Sequence, residues 1–108
     1  MLNHKSAVYR FTVIPGKEAT FEAARLKRTQ GIYLRLGSLG SRLHRQVNGD
    51  YIAYAQWPSR EVWLNAEGES LDAQYRHARN EVQRCLLIDE TLYEMDVVED
   101  YLQIGAFE

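Results

Sequence analysis

Alternation of side chains along residues 6–14 predicts the first strand. The residues on one of its faces are apolar: Ala7, Tyr9, Phe11 and Val13. The opposite face also carries apolar residues, among them Val8 and Ile14, which predicts a central strand that is covered on both sides. The Pro15-Gly16 pair ends this strand, because proline cannot continue the hydrogen-bond ladder and glycine favours a turn.

Residues 17–36 have the spacing of a long helix that is closed by Gly37 at its carboxyl end. One face of this helix is apolar: Phe21, Ala24, Ile32 and Leu36. Three arginines fall on that same side: Arg25, Arg28 and Arg35. Charged residues on the inner side of a helix are unusual, and they raise the question of what these guanidinium groups face.

A hairpin is predicted where residues 39–47 and 50–57 flank Asn48-Gly49, the dipeptide typical of a two-residue type I′ turn. That turn sets which residues lie opposite each other. The predicted pairs on one face are His44 with Ala53, Arg42 with Ala55, and Gly40 with Trp57. The other face then carries Leu39, Leu43, Ile52 and Tyr54.

Two helical segments and a last strand complete the pattern. Ser59 is a plausible cap for a short helix that runs to about Ala66, and Ser70 for a second helix to about Leu86. The second helix has a stripe at buried-seam spacing: Leu71, Tyr75, Ala78, Val82 and Cys85. The last strand is expected within residues 91–102, with one alternating side: Tyr93, Met95, Val97 and Tyr101.

The predicted order β-α-β-β-α-β defines an α+β, ferredoxin-like fold, in which four antiparallel strands carry helices on one face. Residues 1–108 are expected to form a single domain. The second face of the sheet would remain exposed, although both faces carry apolar residues. The simplest cover is the same face of another subunit, so a homodimer is predicted. Burying ~600 Å² of apolar surface per subunit would contribute on the order of 15 kcal/mol before association costs.

The composition of the chain limits the kinds of partner that it is expected to bind. The 108 residues are 45% hydrophobic and 26% charged, with a formal net charge of −2, which argues against non-specific binding to nucleic acid. No segment has the length of a membrane span or the apolar run of a signal peptide. The single cysteine, Cys85, allows no internal disulfide and fits a reducing compartment, so a cytoplasmic location with no membrane partner is expected.

Three stretches of the chain resemble the antibiotic biosynthesis monooxygenase family of the dimeric α/β-barrel superfamily. These stretches are AVYRFTVIPGKEATFEAA, GSLGSRLHR and YIAYAQWPSREVW. The resemblance covers about residues 7–66. It implies a dimer and an oxygenase of quinol-type or polyketide aromatics that needs no cofactor. The family also includes haem-degrading enzymes, which use an asparagine on the first strand. That strand has none here, and the region NAEGES lacks the histidine that many family members carry.

His44 is the candidate catalytic base, because the predicted register places it beside Arg42 and Trp57 among small residues. Those small residues either leave a cavity or let a helix pack closely. His77 is expected to be solvent-exposed, since it lies far from the buried stripe of its helix. A metal site is not expected, because the histidines lack ligand spacing and there is no cysteine pair.

Arg42, beside His44, is a candidate substrate-binding residue, and so are Arg25 and Arg28 on the first helix. Either their stems cover the edge of the core while their heads reach water, or they clamp an anion or phenolate at the mouth of a pocket. Trp57 and Trp63 are expected to divide between core and pocket, and Tyr75 is a further wall candidate, as are Tyr9 and Tyr54.

Three functions remain open from the sequence. The first is a small monooxygenase that oxidises an aromatic, quinol-type substrate without metal or flavin. The second is a non-catalytic module that binds a small aromatic ligand or senses it. The third is a structural dimer with no cavity.

Overall fold

The computed structural model describes residues 4–68 and 72–100. In these ranges the elements are β1 (Lys5–Val13), α1 (Glu18–Arg35), β2 (Gly40–Arg45), β3 (Tyr51–Trp57), α2 (Arg60–Gly68), α3 (Ala73–Arg84) and β4 (Leu86–Asp96). All neighbouring strands are antiparallel, in the order β2-β3-β1-β4. The predicted ferredoxin-like α+β fold is therefore confirmed, including the central place of β1. No helix in the described ranges is long and apolar enough to cross a membrane.

Local signals set most of the element ends. Gly37 has a φ of +84° just after α1, as the predicted carboxyl-terminal cap requires. Ser59 caps α2, since its Oγ accepts a hydrogen bond of 3.2 Å from the backbone N–H of Val62. The predicted cap Ser70 and the first stripe residue, Leu71, lie outside the described residues, and Asp72 precedes α3.

The turn between β2 and β3 differs from the predicted type. Gly49 N–H donates to the Gln46 carbonyl at 2.9 Å, and Gln46 N–H donates to the Asp50 carbonyl at 2.7 Å. Gly49 has a φ of +95°, whereas Asn48 does not have a positive φ. The connection is thus a three-residue loop with a glycine bulge. Asn48 accepts a hydrogen bond from the Asp50 N–H at 3.0 Å through its side chain, which stabilises this loop instead of a type I′ turn.

This extra loop residue makes the predicted register of the hairpin wrong by one position. The observed pairs include Arg42 with Tyr54, Leu43 with Ala53, and His44 with Ile52. Because side chains alternate between faces, a slip of one residue moves every side chain of β2 to the opposite face of the sheet. Leu43 therefore lies on the helix side, while Arg42 and His44 lie on the other.

The last strand also begins earlier than predicted. It starts at Leu86, two residues after the end of α3, and ends at Asp96, while Tyr101 of the predicted alternating side lies outside the described residues. Two irregularities interrupt its pairing with β1, one between Val8 and Tyr9 and one between Thr12 and Val13. Such bulges break the strict alternation that sequence reasoning depends on, so the stretch from Leu86 did not have the pattern of a strand.

The three helices of the described residues lie on one face of the sheet, and the core between helices and sheet consists of two clusters. The first joins α1, α3 and the sheet: Phe11, Phe21, Tyr51, Ala53, Val82 and Cys85. The second joins α2 to β1 and β3: Ala7, Ala55, Trp57 and Trp63. Tyr9 packs against both. The stripe predicted for α3 is confirmed for Tyr75, Ala78, Val82 and Cys85, which are all buried.

The second face of the sheet carries no helix within the described ranges. It combines polar side chains with exposed or half-exposed apolar ones, among them Ile88, Tyr93 and Met95. Arg10 forms an ion pair of 2.7 Å with Glu90 on this face. We refer below to this surface, formed by the outward residues of the sheet, as the open face.

Candidate functional site

A cavity of about 250 Å³ lies where the two core clusters meet, between the sheet, α1 and α2. About half of its lining is aromatic or aliphatic: Tyr9, Phe11, Ile32, Leu36, Ala55, Trp57, Trp63 and Ala66. The polar side chains in its lining include Arg25, Arg28, Ser38, Ser41, Asp89 and Thr91. An apolar cavity of ~150 Å³ can hold benzene, so this one has room for a somewhat larger ring system. An apolar chamber with a few convergent polar groups is the usual form of a small-molecule site.

Arg25 projects from α1 into this cavity and is fixed by β2. Its Nη2 donates a hydrogen bond of 2.8 Å to Ser41 Oγ. Burial, followed by the positive charge of Arg28, lowers the pKa of Arg25 to about 10, while Tyr9 acts in the opposite direction. Arg25 therefore stays charged at neutral pH, in surroundings that disfavour its charge.

Arg28 lies one helical turn further along α1 and lines the same cavity. Burial is also the main cause that lowers the pKa of Arg28, and the charge of Arg79 lowers it further. Asp89 on β4 acts in the opposite direction. The Arg28 Nε is buried and has no hydrogen-bond partner among the residues described here. A buried donor of this kind costs free energy until something accepts its hydrogen bond.

Trp57 and Trp63 belong both to the buried core and to the cavity wall, so the expected division between the two does not occur. Trp57 is 5% exposed and Trp63 8%. The Trp57 Nε1 is buried without a hydrogen-bond partner in the described part of the chain. The two rings therefore provide an apolar wall, as a flat ligand requires.

An ion-pair network holds the start of α2 against the edge of the sheet. Arg60 Nε lies 2.5 Å from Glu94 Oε1, and Lys5 Nζ lies 3.4 Å from the same atom. The hydrogen bond from Arg60 is the main cause that lowers the pKa of Glu94. Because α2 carries Trp63, these pairs help to place one wall of the cavity.

Five of the nine side chains proposed from the sequence meet in this cavity: Tyr9, Arg25, Arg28, Trp57 and Trp63. His44 and Arg42 do not, because the shifted register places them, exposed, on the open face, where Tyr54 lies opposite Arg42. Tyr75 is buried between α3 and α1, where Lys27 Nζ lies 5.1 Å from its ring centre. The catalytic role of His44 stays a prediction that this placement does not support. His77 is exposed, as expected.

Sequence reasoning missed Ser41 and Asp89 as site residues. Ser41 carries no distinguishing motif, and only the observed register, which places it opposite Ala55, shows that it faces Arg25. Asp89 lies on a strand segment that the alternation did not predict. The pairing of Phe11 with Asp89 would have placed this carboxylate on the helix side, had the start of β4 been known.

The arrangement can bind an anion and lower the pKa of a bound acid, because two guanidinium groups and one carboxylate face an apolar space. No cluster of three His, Cys, Asp or Glu suited to a metal occurs within residues 4–68 and 72–100.

The fold and the cavity together define a class: a ferredoxin-like α+β domain with a chamber between its helices and its sheet. Solved structures share this fold. SnoaB, a cofactor-independent oxygenase from Streptomyces nogalater, matches with a TM-score of 0.74 and 16% identity over 94% of this chain and 99% of its own. A provisionally named antibiotic biosynthesis monooxygenase from Caulobacter crescentus matches with a TM-score of 0.73 and 20% identity over 91% and 92% of the two chains.

A third structure, a provisionally named antibiotic biosynthesis monooxygenase from Bordetella bronchiseptica, has a TM-score of 0.72 and 20% identity over 90% of this chain and 99% of its own. No known protein family matches the sequence, and neither does any curated protein. At these identities the likeness shows a shared fold. The resemblance to the antibiotic biosynthesis monooxygenases is therefore confirmed at the level of the fold.

Proposed function

We propose that this protein is a monooxygenase that oxidises an electron-rich aromatic phenol without a bound cofactor. The observation that carries this proposal is the pair of half-buried guanidinium groups, Arg25 and Arg28, in a cavity with aromatic walls. The shared fold with a cofactor-independent oxygenase supports it. The absence of a cofactor itself stays a prediction.

The proposed chemistry begins with loss of the phenolic proton. Arg28 stabilises the phenolate that forms, and Asp89, at the exposed side of the cavity, passes the proton to solvent. Removing water from around the guanidinium groups strengthens their effect on the bound anion. The expected contribution of the protein is thus to raise the population of the electron-rich anion.

The anion then reacts with oxygen directly. It transfers one electron to O₂, and the resulting superoxide and phenoxyl radical combine to form a carbon–oxygen bond at a free ring carbon. The peroxide takes up a proton, its O–O bond breaks, and the hydrogen of that ring carbon leaves with the second oxygen atom as water. In sum, one phenol and one O₂ give one quinone and one water, so both atoms and electrons balance.

We also propose that two copies of the chain pair through the open face. Tyr93 is 61% exposed there, Met95 40% and Ile88 39%, so an isolated chain leaves apolar surface in water. Arg10 and Glu90 supply both signs of charge on the same surface, which suits pairing with an identical copy about a two-fold axis.

A non-catalytic binding module is the second candidate. It is favoured by the position of His44, because the imidazole predicted as a base lies on the open face. The same two arginines could then retain an aromatic anion without turnover.

Oxygen uptake separates the two candidates. Wild-type protein is mixed with 1,5-dihydroxynaphthalene and 1-naphthol, and oxygen consumption is followed above the uncatalysed rate. Catalysis that falls at least ~10-fold in Arg28→Met, but not in the matched Arg76→Met variant on the exposed side of α3, supports the oxygenase. Ligand-induced thermal stabilisation without oxygen uptake across such a panel supports the binding module.

A further inference from the structure

We infer that the ligand of this cavity carries a carboxylate in addition to its aromatic ring, and that Arg25 binds this carboxylate. The inference deepens the proposed function by naming a substrate class, and it rests on that proposal only for the identity of the site. It depends on the surroundings of one side chain.

Among the side chains that the structure describes, Arg25 has no counter-ion. It makes no ion pair with any of them, and its polar contact is the hydroxyl of Ser41 at 2.8 Å. Among the described groups, the charge that acts on it most strongly is that of a second cation, Arg28. Removing a guanidinium from water without an anionic partner costs free energy, and natural sites rarely keep such a group without a use.

Arg28 differs from Arg25 in this respect, because the carboxylate of Asp89 partly balances its charge. The described charged side chains that line the cavity are thus two arginines and one aspartate, and among these one positive charge is uncompensated. A ligand with one permanent negative charge would neutralise the site.

A carboxylate meets this need better than a phenol. A carboxylic acid is ionised at neutral pH, whereas a phenol with a pKa of about 10 arrives neutral and has to be ionised inside the site. The planar guanidinium fork also matches the two oxygens of a carboxylate.

Ser41 is the positioning residue for this contact. Its Oγ accepts a hydrogen bond from one of the five N–H donors of the Arg25 guanidinium, and this bond holds the guanidinium beside the cavity. The other donors remain for a two-point contact with a carboxylate. The aromatic walls contributed by Trp57 and Trp63 would then enclose the ring of the ligand. The two arginines would have different roles. Arg25 binds the carboxylate of the ligand, and Arg28 stabilises the negative charge that develops on its phenolic oxygen.

The test is a calorimetric titration at pH 7 with three probes: 1-naphthoate, methyl 1-naphthoate and acetate. We expect 1-naphthoate to bind at least ~10-fold more tightly than its methyl ester, which has the ring but no charge. Acetate, which has the charge but no ring, should bind far more weakly than 1-naphthoate. Arg25→Met should weaken 1-naphthoate binding by ~10- to 100-fold and leave the ester nearly unchanged.

Arg76→Met is the matched control, because it removes the same charge from the exposed side of α3, away from the cavity and the open face, and should leave all three affinities unchanged. Circular dichroism checks that each variant folds. If Arg25→Met does not fold, Ser41→Ala gives the same test, with an expected loss of ~3- to 10-fold for 1-naphthoate only.

Equal affinities for 1-naphthoate and its methyl ester would overturn the inference. The inference would also fail if acetate bound as tightly as 1-naphthoate, or if Arg25→Met bound 1-naphthoate as tightly as the wild type does. These measurements need no turnover. Tight binding of 1-naphthoate without oxygen uptake from any phenol would therefore uphold the carboxylate site while contradicting the oxygenase, and equal binding of acid and ester with rapid oxygen uptake would do the reverse.

Discussion

The Nη2 of Arg25 lies 2.8 Å from Ser41 Oγ, so a single hydrogen bond joins the middle of α1 to the second residue of β2. This bond crosses the region where the helix layer and the sheet are separated by the cavity. It is therefore both a tertiary contact and the fixed point of the candidate site.

Replacing Ser41 by alanine should lower the free energy of unfolding by about 1–2 kcal/mol, because a hydrogen bond from a charged donor is lost. Urea denaturation of both proteins measures this difference. Ser41→Thr keeps the hydroxyl and is the control, which should stay close to wild type. A Ser41→Ala protein as stable as the wild type would show that this bond adds nothing to the fold.

Gly31 is required where α1 crosses α3. A Cβ at this position would lie 2.5 Å from Tyr75 Cγ, well inside van der Waals contact. Gly31→Ala should therefore destabilise the protein by about 1–3 kcal/mol, although alanine alone favours a helix by about 1 kcal/mol.

The control for this prediction is Gly31→Ala in a Tyr75→Ala background, where the clash is absent and the substitution should become neutral or stabilising. Thermal unfolding of the four proteins completes the cycle. Destabilisation of the same size in both backgrounds would contradict the close approach of the two helices.

Tyr51 should make the fold sensitive to alkaline pH. Burial, reinforced by its hydrogen bond to Glu22, raises the pKa of Tyr51 from 10.0 to about 12. Because the folded state holds this proton more tightly than the unfolded state, the stabilisation is complete below pH 10 and is lost as the pH rises towards 12.

Urea unfolding of wild type and Tyr51→Phe across this pH range measures the effect. The wild type should lose stability more steeply than the variant, and titration of Arg25, which acts in the opposite direction, is common to both and cancels. Parallel pH profiles would mean that Tyr51 titrates alike in the folded and unfolded states.

The loop between β2 and β3 depends on glycine at position 49, whose φ is +95°. Gly49→Ala should cost about 1–2 kcal/mol, since alanine disfavours this conformation. Val47 in the same loop is fully exposed, so Val47→Ala should change stability little. If chemical denaturation gives the same free energy of unfolding for Gly49→Ala and Val47→Ala, the glycine bulge is not what stabilises this hairpin.

The same loop shows where sequence reasoning succeeds and where it fails. Features that depend on neighbouring residues were predictable from the sequence. These are the alternation of β1, the helix ends marked by Ser59 and Gly37, and the buried stripe of α3. The hairpin register depends on whether the loop holds two residues or three, and Asn48-Gly49 fits both. That one residue decides whether His44 faces the cavity or the open face.

The residues of the candidate site were likewise predictable only in part. Arg25 and Arg28 stand out because charges on the inner side of a helix need an explanation. Ser41 and Asp89 do not stand out, because their place in the site comes from strand register and from bulges in β4, which a single sequence does not reveal.

The proposed dimer gives a further prediction. Tyr93→Glu, on the open face, should shift the protein from dimer to monomer at micromolar concentration, because a buried interface would then hold unpaired charges. Leu26→Glu is the matched control, since Leu26 is exposed to a similar degree, 62% against 61%, but lies on a helix. Light scattering coupled to size exclusion gives the mass of each. A wild-type monomer, or equal dimerisation of both variants, would contradict pairing through this face.

The most direct test of the proposed activity is the origin of the oxygen in the product. The protein is incubated with 1,5-dihydroxynaphthalene under ¹⁸O₂, and the quinone is analysed by mass spectrometry. The account predicts one ¹⁸O atom per quinone, formed by the wild type and Arg76→Met but at least ~10-fold more slowly by Arg28→Met. Unlabelled quinone, or the same rate in all three proteins and in buffer alone, would contradict it.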